Sequence, residues 1–276
     1  MSALAFNIVL LAAALHATWN AIVKSGKDKF LTTVLIMLGS ASVSVVALPV
    51  LPVPDPASWP FLAVSTLLQV GYFLLVASTY RVADMSLAYP LMRGTAPMIV
   101  TLASIPLLGE TLPPVALGGI GLICAGILTL ALGARGNGRG VTLALTTAGV
   151  IACYTMVDGV GARLSGDAVA YTLWLNLFSG TPFGLWLLLR RPAGFRAYLR
   201  GNWHLGLIGG FGTLASYGLA LWAMMQAPIA VVAALRETSI LFATLISVLV
   251  LKERVTPRRM LAALLILAGA VVIRLG

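Results

Sequence analysis

The sequence predicts an all-α integral membrane protein, in which ten transmembrane helices form two inverted five-helix repeats around a central cavity. Three observations lead to this fold class. The 276-residue chain is 60% hydrophobic and only 9% charged, whereas soluble domains carry about a quarter charged residues. It contains ten continuous apolar runs separated by short polar gaps, and its two halves match each other in register.

Each apolar run is long enough to supply the roughly 20 residues that a helix needs to cross a bilayer. The runs are centred near residues 13, 41, 70, 97, 122, 152, 179, 214, 240 and 267. They are continuous rather than alternating, which argues against transmembrane strands. We expect a first five-helix repeat at 1–133, a linker at 134–140 and a second repeat at 141–276, together forming one membrane domain.

The basic residues are distributed unevenly among the gaps. Fourteen of the eighteen follow the first, third, fifth, seventh and ninth runs: Lys24, Lys27, Lys29, Arg81, Arg135, Arg139, Arg190, Arg191, Arg196, Arg200, Lys252, Arg254, Arg258 and Arg259. The positive-inside rule then predicts that these gaps are cytoplasmic and that both termini lie outside. The net charge of +10 is therefore expected to meet anionic lipid headgroups and not nucleic acid.

The two halves match when the sequence is shifted against itself by about 143 residues. "AYPLMRGTAPMIVTLASIPLLGETLPP" then aligns with "VVAALRETSILFATLISVLVLKERVTP". This shift pairs Arg93 with Arg236, Glu110 with Glu253, and Pro114 with Pro257. Five spans per half is an odd number, so the second copy enters the membrane from the opposite side. Inverted repeats of this kind are typical of secondary transporters, which bind substrate near mid-membrane between the copies.

The ten spans, the five-plus-five duplication and the boundary motifs "LLGETLPP" and "LKERVTPRR" resemble the drug/metabolite transporter superfamily, EamA type, over essentially the whole chain. Within it, "LHATWNAIVK" and the aromatic-rich spans look similar to YddG-like bacterial exporters of aromatic amino acids and related metabolites. The resemblance implies a cavity lined by helices 1, 3, 4, 6, 8 and 9. It also implies a multi-pass protein of the bacterial inner membrane.

Ionisable residues within the spans are the first candidates for the site, because each is costly in lipid unless it faces protein or water. They are His16, Arg93, Asp158, Arg236 and Glu237. For the two arginines, two interpretations stay open: capture of a substrate carboxylate by the guanidinium, or a structural lock through an ion pair or freed carbonyl groups. Arg236 and Glu237 point about 100° apart on a helix, so one of them needs a partner on a neighbouring helix. Asp158 is expected to pair with an arginine or to reach the outer water.

Aromatic and polar side chains complete the candidate cavity. His16, Trp19 and Asn20 share one helix face at i, i+3 and i+4 spacing. The others are Tyr72, Tyr80, Tyr89, Tyr154, Trp174, Tyr217 and Trp222. A mostly apolar cavity with a few polar groups suits an amphipathic or aromatic solute. The alternative interpretation is that residues near the span ends, such as Tyr80, Trp174 and Trp222, anchor the protein at the membrane interface.

Proline and glutamate positions suggest structural roles. Pro90 and Pro97 predict a kinked, gating helix 4, and Ile240 stands where the second copy would need the matching proline, so we expect no kink there. Pro114 and Pro257 are expected to open the next helices. Glu110 and Glu253 are expected to lie at the first turn of those same helices, where a carboxylate complements the helix dipole.

These features predict a secondary-type inner-membrane transporter that exports aromatic or hydrophobic amino acids, or related small amphipathic metabolites, by alternating access. A drug or lipid-linked sugar flippase of the same fold is the alternative, and a membrane protein without transport activity is a remote one. Neither a metal nor a cofactor is expected, and an enzyme is not, because no spaced cluster of histidine, cysteine or carboxylate residues occurs. We expect a monomer. Whether protons drive transport stays open, with His16, Asp158 and Glu237 as the titratable candidates.

Overall fold

The computed structural model describes residues 1–132, 134, 137–190, 194–249, 252 and 256–276. This part of the chain is helical, with no strand. Its α-helices are α1 (Ala3–Ser25), α2 (Lys29–Ala47), α3 (Trp59–Val82), α4 (Met85–Leu108), α5 (Pro114–Thr129), α6 (Gly138–Ser165), α7 (Ala168–Arg190), α8 (Phe195–Gln226), α9 (Ile229–Arg236), α10 (Ser239–Leu249) and α11 (Pro257–Leu275). Two 3₁₀ turns, Leu48–Val50 and Pro56–Ser58, connect α2 to α3.

Each predicted centre of an apolar run lies within a helix, and the all-α membrane class is confirmed at this level. Among the described residues, seven helical segments are long and apolar enough to cross a membrane: Ala3–Ser25, Lys29–Val50, Pro56–Val82, Met85–Leu108, Gly138–Ser165, Phe195–Gln226 and Ile229–Leu249. Helix α5 is apolar but shorter. Helix α6 begins at Gly138, inside the segment predicted as a linker, while Arg135 and Gly136 of that segment lie outside the described residues.

Contacts between the turns define two ends of the helix bundle. At one, here called the Glu110 end, the Asp55 N–H donates to the Ser165 carbonyl at 3.3 Å, and Arg163 contacts Glu110. At the other, the Tyr198 end, the hydroxyls of Tyr198 and Thr32 are 2.7 Å apart. The turns after α2, α4 and α6 thus meet at the Glu110 end, as expected for helices that alternate in direction.

Among the described residues, a helix interruption occurs in the second half of the chain, and the kink at Pro90 and Pro97 stays a prediction. Helix α4 is assigned as one helix through Pro90 and Pro97, whereas the matching run breaks into α9 and α10 at Glu237 and Thr238. The expectation that the second copy lacks an interruption is therefore wrong. The physical reason is local: N–H groups there bond three residues back, and the Thr238 hydroxyl donates to the Leu235 carbonyl at 2.7 Å. A threonine that bonds the preceding turn competes with the regular helix ladder.

The apolar side chains face both inward and outward. The largest buried cluster joins residues of α5, α6, α7, α8, α9 and α11. Long apolar side chains such as Leu67 and Leu102 are more than 70% exposed, which suits contact with lipid tails. Helices α5 and α11 approach closely at two glycines: a Cβ on Gly119 would lie 2.8 Å from the Gly269 carbonyl oxygen. Small residues at such contacts allow helices to pack backbone against backbone.

Candidate functional site

A small cavity lies between α4, α6 and α9. It encloses about 290 Å³, including its open side, and three charged side chains line it: Arg93, Arg236 and Glu237. Tyr154 and Thr155 of α6 add hydroxyl groups, and the remaining walls are apolar. Small-molecule pockets are mostly apolar with a few placed polar groups. The cavity has this composition.

Arg93 of α4 and Glu237, which follows α9, form an ion pair across the cavity wall. The Arg93 Nη2 lies 2.9 Å from Glu237 Oε1, and its Nε donates to Oε2 at 3.0 Å. The two side chains are 12% and 6% exposed, so the pair is almost dry. A two-bond guanidinium–carboxylate contact of this kind fixes the geometry and neutralises both charges. Glu237 thus has the neighbouring-helix partner that its position required.

Arg236 precedes Glu237 but has different surroundings. Its guanidinium carbon lies 5.0 Å from the centre of the Tyr217 ring on α8. Within the described ranges, no carboxylate lies at ion-pair distance from Arg236. A cation above a ring keeps its N–H edge available for acceptor atoms. Arg93 and Arg236, which are equivalent in the alignment of the two halves, therefore differ. Arg93 is neutralised by an ion pair, whereas Arg236 has a charged side chain at the cavity wall.

Asp158 of α6 is fully buried, and its partners are uncharged. The Tyr217 hydroxyl donates to Asp158 Oδ2 in a short bond, and the Tyr171 hydroxyl donates to Oδ1 at 3.1 Å. The Gln69 amide donates to Oδ2 at 3.4 Å. The expectation that Asp158 pairs with an arginine or reaches the outer water is therefore wrong. The physical reason is that the Tyr217 side chain contacts both groups, with its ring against Arg236 and its hydroxyl on Asp158.

The candidates on α1, His16, Trp19 and Asn20, share one helix face, but not all of their polar groups are available to a ligand. The rings of His16 and Trp19 meet edge to face at 5.2 Å. The Asn20 amide donates to the His16 carbonyl of its own helix at 2.8 Å, which occupies one of its donors. Trp19 also lies near Gly212 of α8, where an added Cβ would be 3.5 Å from the tryptophan Cβ. Trp19 therefore packs on α8, whereas His16 lies within electrostatic range of Arg93 and Arg236.

The aromatic candidates divide into two groups. Tyr154 lines the cavity and meets the Tyr72 ring of α3 edge to face at 5.8 Å. Tyr89 is partly buried on α4, one turn before Arg93. Three others lie elsewhere: Tyr80 is 37% exposed, Trp174 stacks with Trp59 and Phe178, and Trp222 packs on the large apolar cluster. None of these three is among the residues that line the cavity.

Glu110 contacts a helix other than the one that its sequence position suggested. Its Oε1 accepts from the Ile229 N–H at 2.6 Å, and Oε2 accepts from the Ala230 N–H at 3.3 Å. It thus caps α9, in the second half of the chain, and the prediction that it lies at the first turn of α5 is wrong. The prediction from sequence spacing took into account only the next helix along the chain, whereas the end of α4 lies beside the start of α9 in space. Glu253 lies outside the described residues.

Arg163 links Glu110 to the C-terminal end of α8. Its Nη2 lies 3.1 Å from Glu110 Oε1 and donates to the Ala227 carbonyl at 3.0 Å, while Nε donates to the Met224 carbonyl at 2.8 Å. These carbonyls belong to the end of α8. Pro114 and Pro257 occupy the first positions of α5 and α11, as predicted for helix-opening prolines.

Sequence reasoning missed Gln69, Tyr171 and Arg163 as functional residues. Gln69 had a usable signal, since an amide inside the apolar run "STLLQVGYF" is costly unless it is bonded. Tyr171 and Arg163 had none, because both lie near span ends, where aromatic and basic residues are common. No group of three or more possible metal-ligating side chains occurs in the part of the chain that the structure describes.

Comparisons with known proteins agree with this architecture. A sequence profile described as the EamA-like transporter family matches residues 138–275, half of the chain. Among solved structures, one crystal structure of a protein superposes with a TM-score of 0.77 at 21% identity, covering 100% of this chain and 98% of the other. That likeness concerns the fold alone. A search of curated proteins gives no match.

Proposed function

Because the chain belongs to the EamA-like transporter family, we propose that it is a secondary transporter that exports aromatic or hydrophobic amino acids, or related small amphipathic metabolites. It works by alternating access in a bacterial inner membrane. Its basic gaps face the cytoplasm, and both termini and the Glu110 end face outward.

Two inverted five-helix halves form the transport unit in this proposal. The in-register match of Arg93 with Arg236 supports it. So does the packing: α1 lies along α8 as α3 lies along α6, and α4 packs on α6 as α10 packs on α1. In an inverted repeat, each contact between a helix of one half and a helix of the other is matched by a contact between the two equivalent helices.

The observation that carries the proposal is the different pairing of Arg93 and Arg236. Glu237 already neutralises Arg93, so that guanidinium has little to offer a substrate. Arg236 lines the cavity against the Tyr217 ring, within the field of Glu237 but without an ion-pair contact among the described residues. A guanidinium that no carboxylate bonds, in a largely apolar cavity, favours a carboxylate ligand, which it can bind with two hydrogen bonds.

The remaining walls suit the apolar part of such a solute. Ala96, Val100 and Ile151 line the cavity beside the Tyr154 ring. Aromatic and aliphatic walls favour an apolar side chain, whereas the guanidinium favours the acid group.

Exchange in liposomes tests the proposal. The purified full chain is reconstituted with internal unlabelled L-phenylalanine or L-leucine, and uptake of the labelled amino acid is measured without a gradient. We expect exchange by the wild type and a loss of about tenfold or more in Arg236→Gln, because a charge-assisted hydrogen bond contributes ~1.5–3 kcal/mol. L-phenylalaninamide, which lacks the carboxylate, should compete at least about tenfold less well than L-phenylalanine.

Arg274→Gln is the matched control. Arg274 also lies over an aromatic ring, 5.9 Å from the Phe6 centroid, but near the C-terminus and away from the cavity. It should exchange within about twofold of the wild type. Equal exchange by Arg236→Gln and Arg274→Gln, or equal competition by the acid and its amide, would contradict carboxylate capture by Arg236.

A further inference from the structure

Asp158 is a buried carboxylate within the helix bundle that only neutral groups contact. Its described hydrogen-bond partners are the hydroxyls of Ser65, Tyr171 and Tyr217 and the amide of Gln69. The Gln69 carbonyl oxygen in turn accepts from the Ser179 hydroxyl at 3.4 Å, which orients the amide with its N–H group towards Asp158. Every partner thus presents a donor to the carboxylate.

The groups on every packed helix leave Asp158 without a counterion. Helix α3 contributes Ser65 beside Gln69, α7 contributes Tyr171, and α8 contributes Tyr217. The charged groups on α4 and α9 are Arg93, Glu237 and Arg236, and the first two neutralise each other. Arg236 meets the Tyr217 ring, on whose hydroxyl Asp158 is bonded. On α6 itself the titratable neighbours are Tyr154, four residues earlier, and Arg163, which bonds Glu110. Asp55 precedes the 3₁₀ turn that packs on α6, and its backbone N–H donates to the Ser165 carbonyl.

Such surroundings can hold either protonation state. Several donated hydrogen bonds favour the anion, while burial away from water and from any cation favours the neutral acid. When a proton binds, the new O–H must donate, and the nearest oxygen that can accept it is the Tyr217 hydroxyl. The Tyr217 O–H must then turn away to another acceptor. Protonation therefore changes what holds Tyr217 in place.

Tyr217 also contacts Arg236, the cation that is proposed to bind the substrate carboxylate. Its ring lies 5.0 Å from the Arg236 guanidinium carbon, so one rigid side chain contacts both Asp158 and Arg236. With Asp158 ionised, the Tyr217 hydroxyl is fixed and its ring is a firm platform for Arg236. With Asp158 protonated, the Tyr217 ring is held less firmly, and Arg236 is less well positioned to bind a carboxylate. The direct charge effect is small for an amino acid, because its carboxylate and ammonium charges cancel.

We propose that Asp158 is the proton-binding site of this transporter and that Tyr217 links it to Arg236, so that proton and substrate bind alternately. This inference rests on the proposed function for its link to the substrate. Reciprocity of linked binding requires that substrate binding favours proton release and that protonation weakens substrate binding. An inward proton gradient then drives substrate export.

Infrared difference spectroscopy tests the proton site without any substrate. Lowering the pH should produce the absorbance of protonated carboxyl groups in the wild-type protein, and the component that belongs to Asp158 should be missing in Asp158→Asn. Asp167→Asn is the matched control: the same substitution at a carboxylate that caps α7 by accepting from the Val169 N–H at 2.7 Å. Asparagine caps helices as well as aspartate does. Persistence of the wild-type band in Asp158→Asn overturns the proposal.

Liposome export tests the coupling. The ratio of labelled L-phenylalanine efflux with and without an inward proton gradient should exceed about threefold in the wild type and in Asp167→Asn. It should fall to about one in Asp158→Asn and be reduced in Tyr217→Phe, which keeps the ring but lacks the hydroxyl. Exchange that works but ignores the proton gradient in the wild type overturns the proposal, as does acceleration by a sodium gradient at equal pH. If the wild type exchanges neither amino acid, the proposed function fails, while the infrared titration still decides on Asp158.

Discussion

In the part of the chain that the structure describes, the Arg93–Glu237 and Arg163–Glu110 ion pairs join the first half to the second, and they hold their carboxylates in different ways. Glu237 uses both oxygens on the Arg93 guanidinium, which is 12% exposed. Glu110 shares its oxygens between Arg163, which is 36% exposed, and the first N–H groups of α9. Removal of Arg93 leaves the buried Glu237 without a hydrogen-bonded counterion, and only the more distant charge of Arg236 remains. Removal of Arg163 leaves Glu110 with its bonds to a helix N-terminus, where the dipole favours negative charge.

This difference indicates which contact is suited to move. The Arg163–Glu110 contact can open at the Glu110 end without leaving a charge unsatisfied, because the arginine meets water there and the glutamate stays on α9. In the described structure, the Glu237 carboxylate has no substitute hydrogen-bond partner of this kind, because Arg236 acts on it only at a distance. We therefore expect the Arg93–Glu237 pair to stay closed during transport and the Arg163–Glu110 contact to break when the Glu110 end opens, which the proposed orientation places outside.

The largest effect should follow the loss of Arg93. We expect Arg93→Ala to lower the free energy of unfolding by about 3–5 kcal/mol, because it leaves the buried Glu237 carboxylate unpaired. Thermal unfolding of the purified protein in detergent, followed by tryptophan fluorescence, measures it. The double variant Arg93→Ala, Glu237→Ala should be more stable than Arg93→Ala alone. Equal midpoints for Arg93→Ala and Arg163→Ala would remove the distinction between the two pairs.

Helix positions were predictable because continuous apolar runs constrain where a chain can cross a bilayer, whatever the helices later touch. Arg93, Arg236 and Glu237 were predictable as site residues for the same energetic reason. Their pairing was not, since the ion pair joins residues 144 positions apart and depends on how α4 and α9 are rotated. The sequence match of Arg93 with Arg236 suggested equivalent roles, but Glu237 pairs with Arg93, and Gly94 stands where the first copy would need the matching carboxylate.

The partners of Asp158 and Glu110 were beyond sequence reasoning for a related reason. Glu110 bonds Ile229, 119 residues away, and local helix-capping rules consider only neighbouring residues. Asp158 meets tyrosines from two further helices, and tyrosine is equally common at membrane interfaces and in cavities. The interruption at Thr238 has no proline or glycine to mark it. Each of these features depends on helix packing rather than on helix formation.

An intermediate effect is expected at the Glu110 end. Arg163→Ala removes a partly exposed ion pair and bonds to two carbonyls, and it should lower stability by about 1–2 kcal/mol. More informative is access from outside: with Ala227→Cys in a background without native cysteines, we expect an impermeant maleimide to react several-fold faster when Arg163 is alanine. Ala227 is 8% exposed, and its carbonyl is an Arg163 acceptor. Unchanged labelling would contradict a closing role for Arg163.

The smallest effect should follow Glu110→Gln. The amide oxygen can still accept from the Ile229 N–H, and Arg163 keeps its two carbonyl acceptors and its contact with water. We expect a loss below about 1 kcal/mol, in the range of exposed ion pairs. The matched change, Glu237→Gln, should cost clearly more, because Arg93 then keeps a buried charge without a counterion. Unfolding midpoints of the two variants provide the comparison. A larger loss for Glu110→Gln than for Arg163→Ala would mean that Glu110 acts chiefly through its negative charge on the α9 dipole, which would make Arg163 the dispensable member of that pair.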